Sequence, residues 1–227
     1  MSVHLQKDIE KLKKKILTLS AVVEEALYDA VTAVKKQDDE LAQKVIDHDH
    51  QIDEMEVDVE SDCLKILALH QPVASDLRYV ISVLKINNDL ERVGDLAANI
   101  AQRAIEMKYL GQNSLSFDFD PMFEKVKTML EKSLKALIQL NLEEAQMVRA
   151  MDDEVDEMHR NLYHLAEENI RSHPDRTGIF LQLLSLSRYL ERIADLATNI
   201  AEDVIYMVEG TIARHSPESI KMDETRN

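Results

Sequence analysis

The chain has 227 residues, with 27 Lys plus Arg against 43 Asp plus Glu and a formal net charge of −16. A surface that acidic repels nucleic-acid phosphate and anionic lipid, so neither is expected as a direct partner, and cations or basic protein patches are. Apolar residues make up 45%, Trp is absent and aromatics are 4%, so the core must be built from Leu, Ile, Val, Ala and Met. Cys63 is the single cysteine, no apolar run reaches membrane-spanning length, and the first residues carry no apolar signal region. No intrachain disulfide can form, and a cytoplasmic protein without membrane insertion is expected.

Four Gly and four Pro are few for this length and predict long, uninterrupted helices. Ile9, Leu12, Ile16, Leu19, Val23, Leu27, Val31 and Val34 recur at helical spacing and predict a first helix over about 5–36. Asp38 or Asp39 supplies an N-cap for a second helix, stopped at Pro72. Ser75 reads as the next N-cap, opening a third helix to about Leu110. Gly111 to Asp120 is the one clear linker, and Asp120-Pro121 restarts the pattern as N-cap and N1. A fourth helix runs to about Leu140 and a fifth from Asn141 to about Arg171; a turn through His173–Gly178 leads into a sixth, ending near Glu209. The expected fold is all-α, two tandem three-helix bundles over 1–111 and 120–210, with a frayed tail over 211–227.

Two bundles are expected because the chain repeats itself. Leu90-Glu91-Arg92-Val93-Gly94-Asp95-Leu96-Ala97-Ala98-Asn99-Ile100-Ala101 returns one hundred positions later as Leu190-Glu191-Arg192-Ile193-Ala194-Asp195-Leu196-Ala197-Thr198-Asn199-Ile200-Ala201, identical at nine of twelve positions. Earlier in each half, at a shift of 103, Asp49-His50-Gln51-Ile52-Asp53-Glu54-Met55 aligns with Asp152-Asp153-Glu154-Val155-Asp156-Glu157-Met158.

Glu91, Asp95 and Asn99, and Glu191, Asp195 and Asn199, fall at a stride of four, which stacks them on one helix face. Asp203 extends the second ladder where the first has Arg103. Asp49 with Asp53, and Asp152 with Asp156, add a carboxylate pair from the neighbouring helix of each half. Like charges at that spacing repel by a few tenths of a kcal/mol each. Oxygen donors so arranged suit hard or intermediate cations (Mg, Ca, Mn or iron), with room for bridging carboxylates and more than one ion. The helical wheel puts the ladders on an open surface, opposite Val93, Leu96 and Ile100, where an ordinary solvated face would also lie. The repetition is what favours metal. Arg92 and Arg192 are assigned to neighbouring carboxylates or stem packing. His48 and His50 have no counterparts in the second half. No Glu-x-x-His pair of a di-iron oxidase, nucleotide loop or nucleophile motif is present, so no enzyme activity is expected.

With these repeats, the chain resembles the PhoU family of phosphate-uptake regulators. Pro72-Val73-Ala74-Ser75-Asp76-Leu77-Arg78 followed by Leu84-Lys85-Ile86-Asn87-Asn88-Asp89-Leu90-Glu91-Arg92 looks like that family's first-repeat signature, and residues 188–203 like the second. The resemblance implies surface clusters of transition-metal ions, iron foremost with manganese, magnesium or zinc as alternatives. It also implies restraint of a phosphate ABC transporter and help to a membrane sensor histidine kinase in keeping the phosphate regulon off, from a position at the inner face of the membrane. A homodimer is compatible with it. The rival reading is a metal-free acidic helical adaptor that docks basic surfaces.

Overall fold

The computed structural model describes residues 3–109 and 118–211. Six helices account for them: α1 (Val3–Lys36), α2 (Asp39–His70), α3 (Ala74–Tyr109), α4 (Asp120–Gln139), α5 (Leu142–Ser172) and α6 (Thr177–Glu209), with one 3₁₀ turn at Pro174–Arg176 and no strand among the described residues. The expected linker lies largely, and the tail almost wholly, outside them.

The helix ends follow local chemistry, with two corrections. Asp38 caps α2 by accepting from the Leu41 N–H at 3.0 Å, and Asn141 caps α5 by accepting from Glu143 and Glu144, each contributing about 1 kcal/mol. Ser75 is not a cap. The Asp76 N–H donates to Val73 O, which starts α3 at Ala74, before the Ser75 hydroxyl can serve. Asp120 is not the cap of α4 either. The Phe119 carbonyl already accepts from Phe123, and the Asp120 N–H is taken by the Asp118 carboxylate.

Helices α1, α2 and α3 pack mutually, as do α4, α5 and α6, so each half is a three-helix bundle. The halves then join through α3 on α6 and, less extensively, α1 on α4. Their apolar side chains form one continuous core. Leu90, Val93 and Ile100 of α3, and Leu190, Ile193 and Ile200 of α6, are fully or almost fully buried in it, and burial stabilises by about 1.5–3 kcal/mol for a side chain of this size.

Polar contacts fix the direction of the joint. Arg78 reaches Met207 O, Lys85 donates to Asp203 Oδ1 at 3.1 Å, and Arg103 donates to Gln182 Oε1 at 2.9 Å. Numbers rise on one helix as they fall on the other, so α3 and α6 run antiparallel and the duplicated halves face each other about an approximate two-fold axis.

Where α2 crosses α3, a Cβ on Gly94 would lie 2.9 Å from Ile52 Cδ1, so the missing side chain is what admits Ile52. The repeat-equivalent positions hold Val155 and Ala194, both buried: one methylene moves from α2 to a methyl on the other helix. Gly94→Ala should therefore gain up to about 1 kcal/mol of helix propensity and lose much of it to the Ile52 contact. In an Ile52→Val background the gain should emerge, giving a coupling of about 1 kcal/mol in a double-mutant cycle of urea melts. Strict additivity would show that Ile52 does not limit this position.

Candidate metal-binding ladders and the groove between them

The ladders lie where α2 meets α3 and where α5 meets α6, the pairings expected from the repeat. The buried stripe of α3 (Leu90, Val93, Ala97, Ile100) turns the Glu91–Asp95–Asn99 edge toward α2 and solvent, and α6 repeats the pattern. The structure brings Asp49, Asp53, Glu91 and Asp95 into one electrostatic group. Burial, then the carboxylates of Asp95 and Asp53, push Asp49 up to about 6, against a small opposing effect of His50. Asp95 is raised by burial and then Asp53; Glu91 by burial and then Asp95, Asp53, Glu56 and Asp49. The second half matches: burial, then Asp195 and Asp156, push Asp152 up to about 6. Glu191 and Asp195 are raised by burial and neighbouring acids, with Arg192 opposing in both cases and Arg188 also opposing at Glu191.

Among the described residues, none of Asp49, Asp53, Glu91, Asp95, Asp152, Glu191 or Asp195 makes a salt bridge, whereas Asp156 has Arg160 at 3.9 Å. Nor do any three His, Cys, Asp or Glu side chains among these residues converge closely enough to hold an ion. The donors match a hard cation in chemistry, and closing on one requires side-chain rotation.

Two expected rungs have other partners. The exposed Asn99 donates its amide N–H back to Asp95 O at 2.8 Å, while Asn199 is half-buried. Asp203 does not extend the ladder. Its side chain is 3% exposed and pairs with Lys85 in the α3–α6 joint, where the Lys85 ammonium also sits over the Tyr206 ring. Four-residue steps drift about 40° per step on a 3.6-residue helix, so two steps beyond Asp195 reach the neighbouring face. Arg103, the equivalent residue, is in the same joint.

Three features were missed by sequence reasoning. Thr198, the one polar exchange within the repeat, donates its hydroxyl to Asp152 Oδ1 at 3.3 Å. One turn along each ladder lies a pair that differs between halves. The fully buried Asn87 donates to Glu56 O and Oε1, and its own Oδ1 has no hydrogen-bond partner among the described residues. At the equivalent positions, His159 Nδ1 lies 3.0 Å from Ser187 Oγ, and that hydroxyl donates to Leu184 O. With the hydroxyl proton so committed, Nδ1 is the donor and Nε2 carries the lone pair of the neutral ring. Applying the shifts of 103 and 100 beyond the ladders would have paired these residues.

The antiparallel joint also leaves a groove of about 240 Å³ between the ladders, lined by Arg92, Asp95, Leu96 and Asn99 of α3 and by Arg192, Asp195, Leu196 and Asn199 of α6. The same four residues come from each half. Asp95 and Asp195 therefore belong both to a ladder and to the shared groove.

A duplicated, all-α chain with matched acidic faces defines a class of double three-helix-bundle proteins. The PhoU domain model matches it twice, over residues 16–104 and 119–204, and the chain belongs to the PhoU family. It is 32% identical over 206 residues to the phosphate-specific transport system accessory protein PhoU homolog of Clostridium acetobutylicum, covering 90% of this chain and 94% of that one. The crystal structure of PhoU from Pseudomonas aeruginosa superposes with a TM-score of 0.88 at 35% identity, covering 91% of this chain and 99% of that one. The crystal structure of the phosphate transport system regulatory protein PhoU from Streptococcus pneumoniae does so with a TM-score of 0.82 at 30% identity, over 92% and 98%. Among the described residues no helix is long and apolar enough to cross a membrane.

The raised carboxylates set a pH dependence whose sign is fixed. A folded-state pKa of about 6 against an ordinary 3.8 means that the native state holds these protons longer than the unfolded chain. Their contribution is fully present below 3.8 and is lost as pH rises through about 6. In chelator, Asp49→Asn/Asp152→Asn should raise Tm above pH 6 and converge with the parent near pH 4. Parallel Tm–pH curves for parent and variant would show that the crowding carries no cost.

Proposed function

We infer that this protein is an accessory regulator of a phosphate-uptake system, and that its ladders hold divalent or transition-metal ions. The observation that carries the metal assignment is the matched pair of carboxylate groups, in which Asp49, Glu91 and Asp95, and Asp152, Glu191 and Asp195, are raised by burial and by one another, with Arg160 on Asp156 the one salt bridge to either group among the described residues. Asp49, Asp53, Glu91 and Asp95 would hold ions in the first half; Asp152, Asp156, Glu191 and Asp195 in the second, with the Asn99 and Asn199 carbonyls at the margins. Iron, manganese, magnesium and zinc are the candidate ions, and bound cations would neutralise the faces and present positive charge at the surface. That supports docking to a phosphate ABC transporter and a membrane sensor kinase, restraining uptake when phosphate is plentiful. The family membership and the regulatory relative from Streptococcus pneumoniae support the phosphate assignment.

A second reading has its own support. A net charge of −16 suits a metal-free acidic adaptor that docks basic surfaces.

The two readings give opposite signs in one experiment. For a metal site, Asp195→Ala should remove most metal uptake by the second half, read by elemental analysis before and after chelation. The metal-dependent rise in Tm should fall with it. For a solvated face, the substitution removes one like-charged neighbour and changes stability by no more than about 0.5 kcal/mol, toward greater stability. Unchanged bound metal and an unchanged melt in metal would sink the site.

A further inference from the structure

We propose that the groove between α3 and α6 is an oxyanion site that takes one protonated tetrahedral anion, hydrogen phosphate, on the approximate two-fold axis of the molecule. It shares Asp95 and Asp195 with the ladders, but its donors, Arg92 and Arg192, belong to neither. It deepens the reading above, on which its bearing on phosphate uptake rests.

Three observations support it. The lining pairs two guanidinium groups across the axis, and Arg92 is 49% exposed, its one salt-bridge partner among the described residues being Asp89 at a distant 3.9 Å. Guanidinium offers a planar fork of donors that matches pairs of oxygens on a tetrahedral anion. A tetrahedral anion has two-fold axes of its own, so it can present one oxygen pair to each half. The buried Leu96 and Leu196 complete the lining, and apolar groups beside the guanidinium groups strengthen the charged hydrogen bonds that these make.

The two carboxylates decide which anion. Ionised Asp95 and Asp195 are acceptors only, so an anion without protons meets repulsion there. Hydrogen phosphate keeps at least one P–OH at neutral pH and can donate to one of them; sulfate has none to donate. Formally the lining is neutral, two arginines against two aspartates. A cation on either ladder would tip it positive, because the aspartates are shared.

The test uses the full chain near neutral pH at fixed ionic strength. Sodium phosphate and sodium sulfate are titrated calorimetrically into protein in chelator and into the same protein equilibrated with Mg²⁺. The expected result is one saturable phosphate site per chain in at least one of these states, with sulfate about tenfold weaker or more. Arg192→Gln and Arg92→Gln should each weaken phosphate by about tenfold, while Arg171→Gln, whose partner Glu167 lies in neither the groove nor a ladder, leaves it unchanged. No saturable phosphate in either state overturns the proposal. So do equal phosphate and sulfate affinities, or arginine variants that bind like the parent while melting like it. Metal content measured on the same samples reports separately on the ladders, so the two assignments fail independently.

Discussion

Helices α3 and α6 must each satisfy three neighbours at once, and the rest of the molecule follows from that requirement. Each packs on two helices of its own bundle and on the other across the axis. With three sides spoken for, a 3.6-residue helix has little perimeter left for charge, and it is here that the Glu-x-x-x-Asp-x-x-x-Asn edge sits. The same geometry limits its length. A ladder with a stride of four rotates off its face within about two turns, which is why the next acidic position becomes an ion pair inside the joint.

Carboxylates in this protein fall into two populations. Asp62 and Glu144, hydrogen-bonded to Lys15 and to Lys132 and Lys135, are held below their ordinary range. Asp49, Glu91, Asp95, Asp152, Glu191 and Asp195 of the ladders are held above it. A shortage of basic residues alone would not sort them so. Surface ion pairs are worth at most about 1 kcal/mol each, so stability alone gives little reason for the lysines to collect away from the ladders. The repetition of the arrangement in both halves marks it as a built feature, and it leaves two negative faces for something outside the chain to complement.

Much of this could be read before any coordinates. The apolar spacing of Leu12, Ile16, Leu19 and Val23 placed α1, and the two internal shifts placed equivalent carboxylates in equivalent bundles, because both follow from helical period alone. Helix starts were less legible at Ser75 and Asp120, where a competing hydrogen bond one or two residues earlier took the backbone group. The groove was not legible at all. Arg92 and Arg192 look like incidental neighbours of the ladders until α3 and α6 are known to run antiparallel, and nothing within one helix encodes how two distant helices cross. Asn87 and His159 escaped for a different reason: a buried polar pair has no periodic signature, only a partner.

The Ile52–Gly94 contact has a consequence for how two such halves can drift apart after duplication. One half sets Ile against Gly and the other has Val and Ala at the equivalent places. Passing from either state to the other takes two substitutions, and the order matters. Through Ile against Ala, overpacking of about 1 kcal/mol is offset by the helix propensity that Ala gains over Gly. Through Val against Gly, it carries a small void costing about 0.5–1.5 kcal/mol. The tighter intermediate is the easier passage, so the larger side chain should have been the first to arrive or the last to leave in the lineage of each copy.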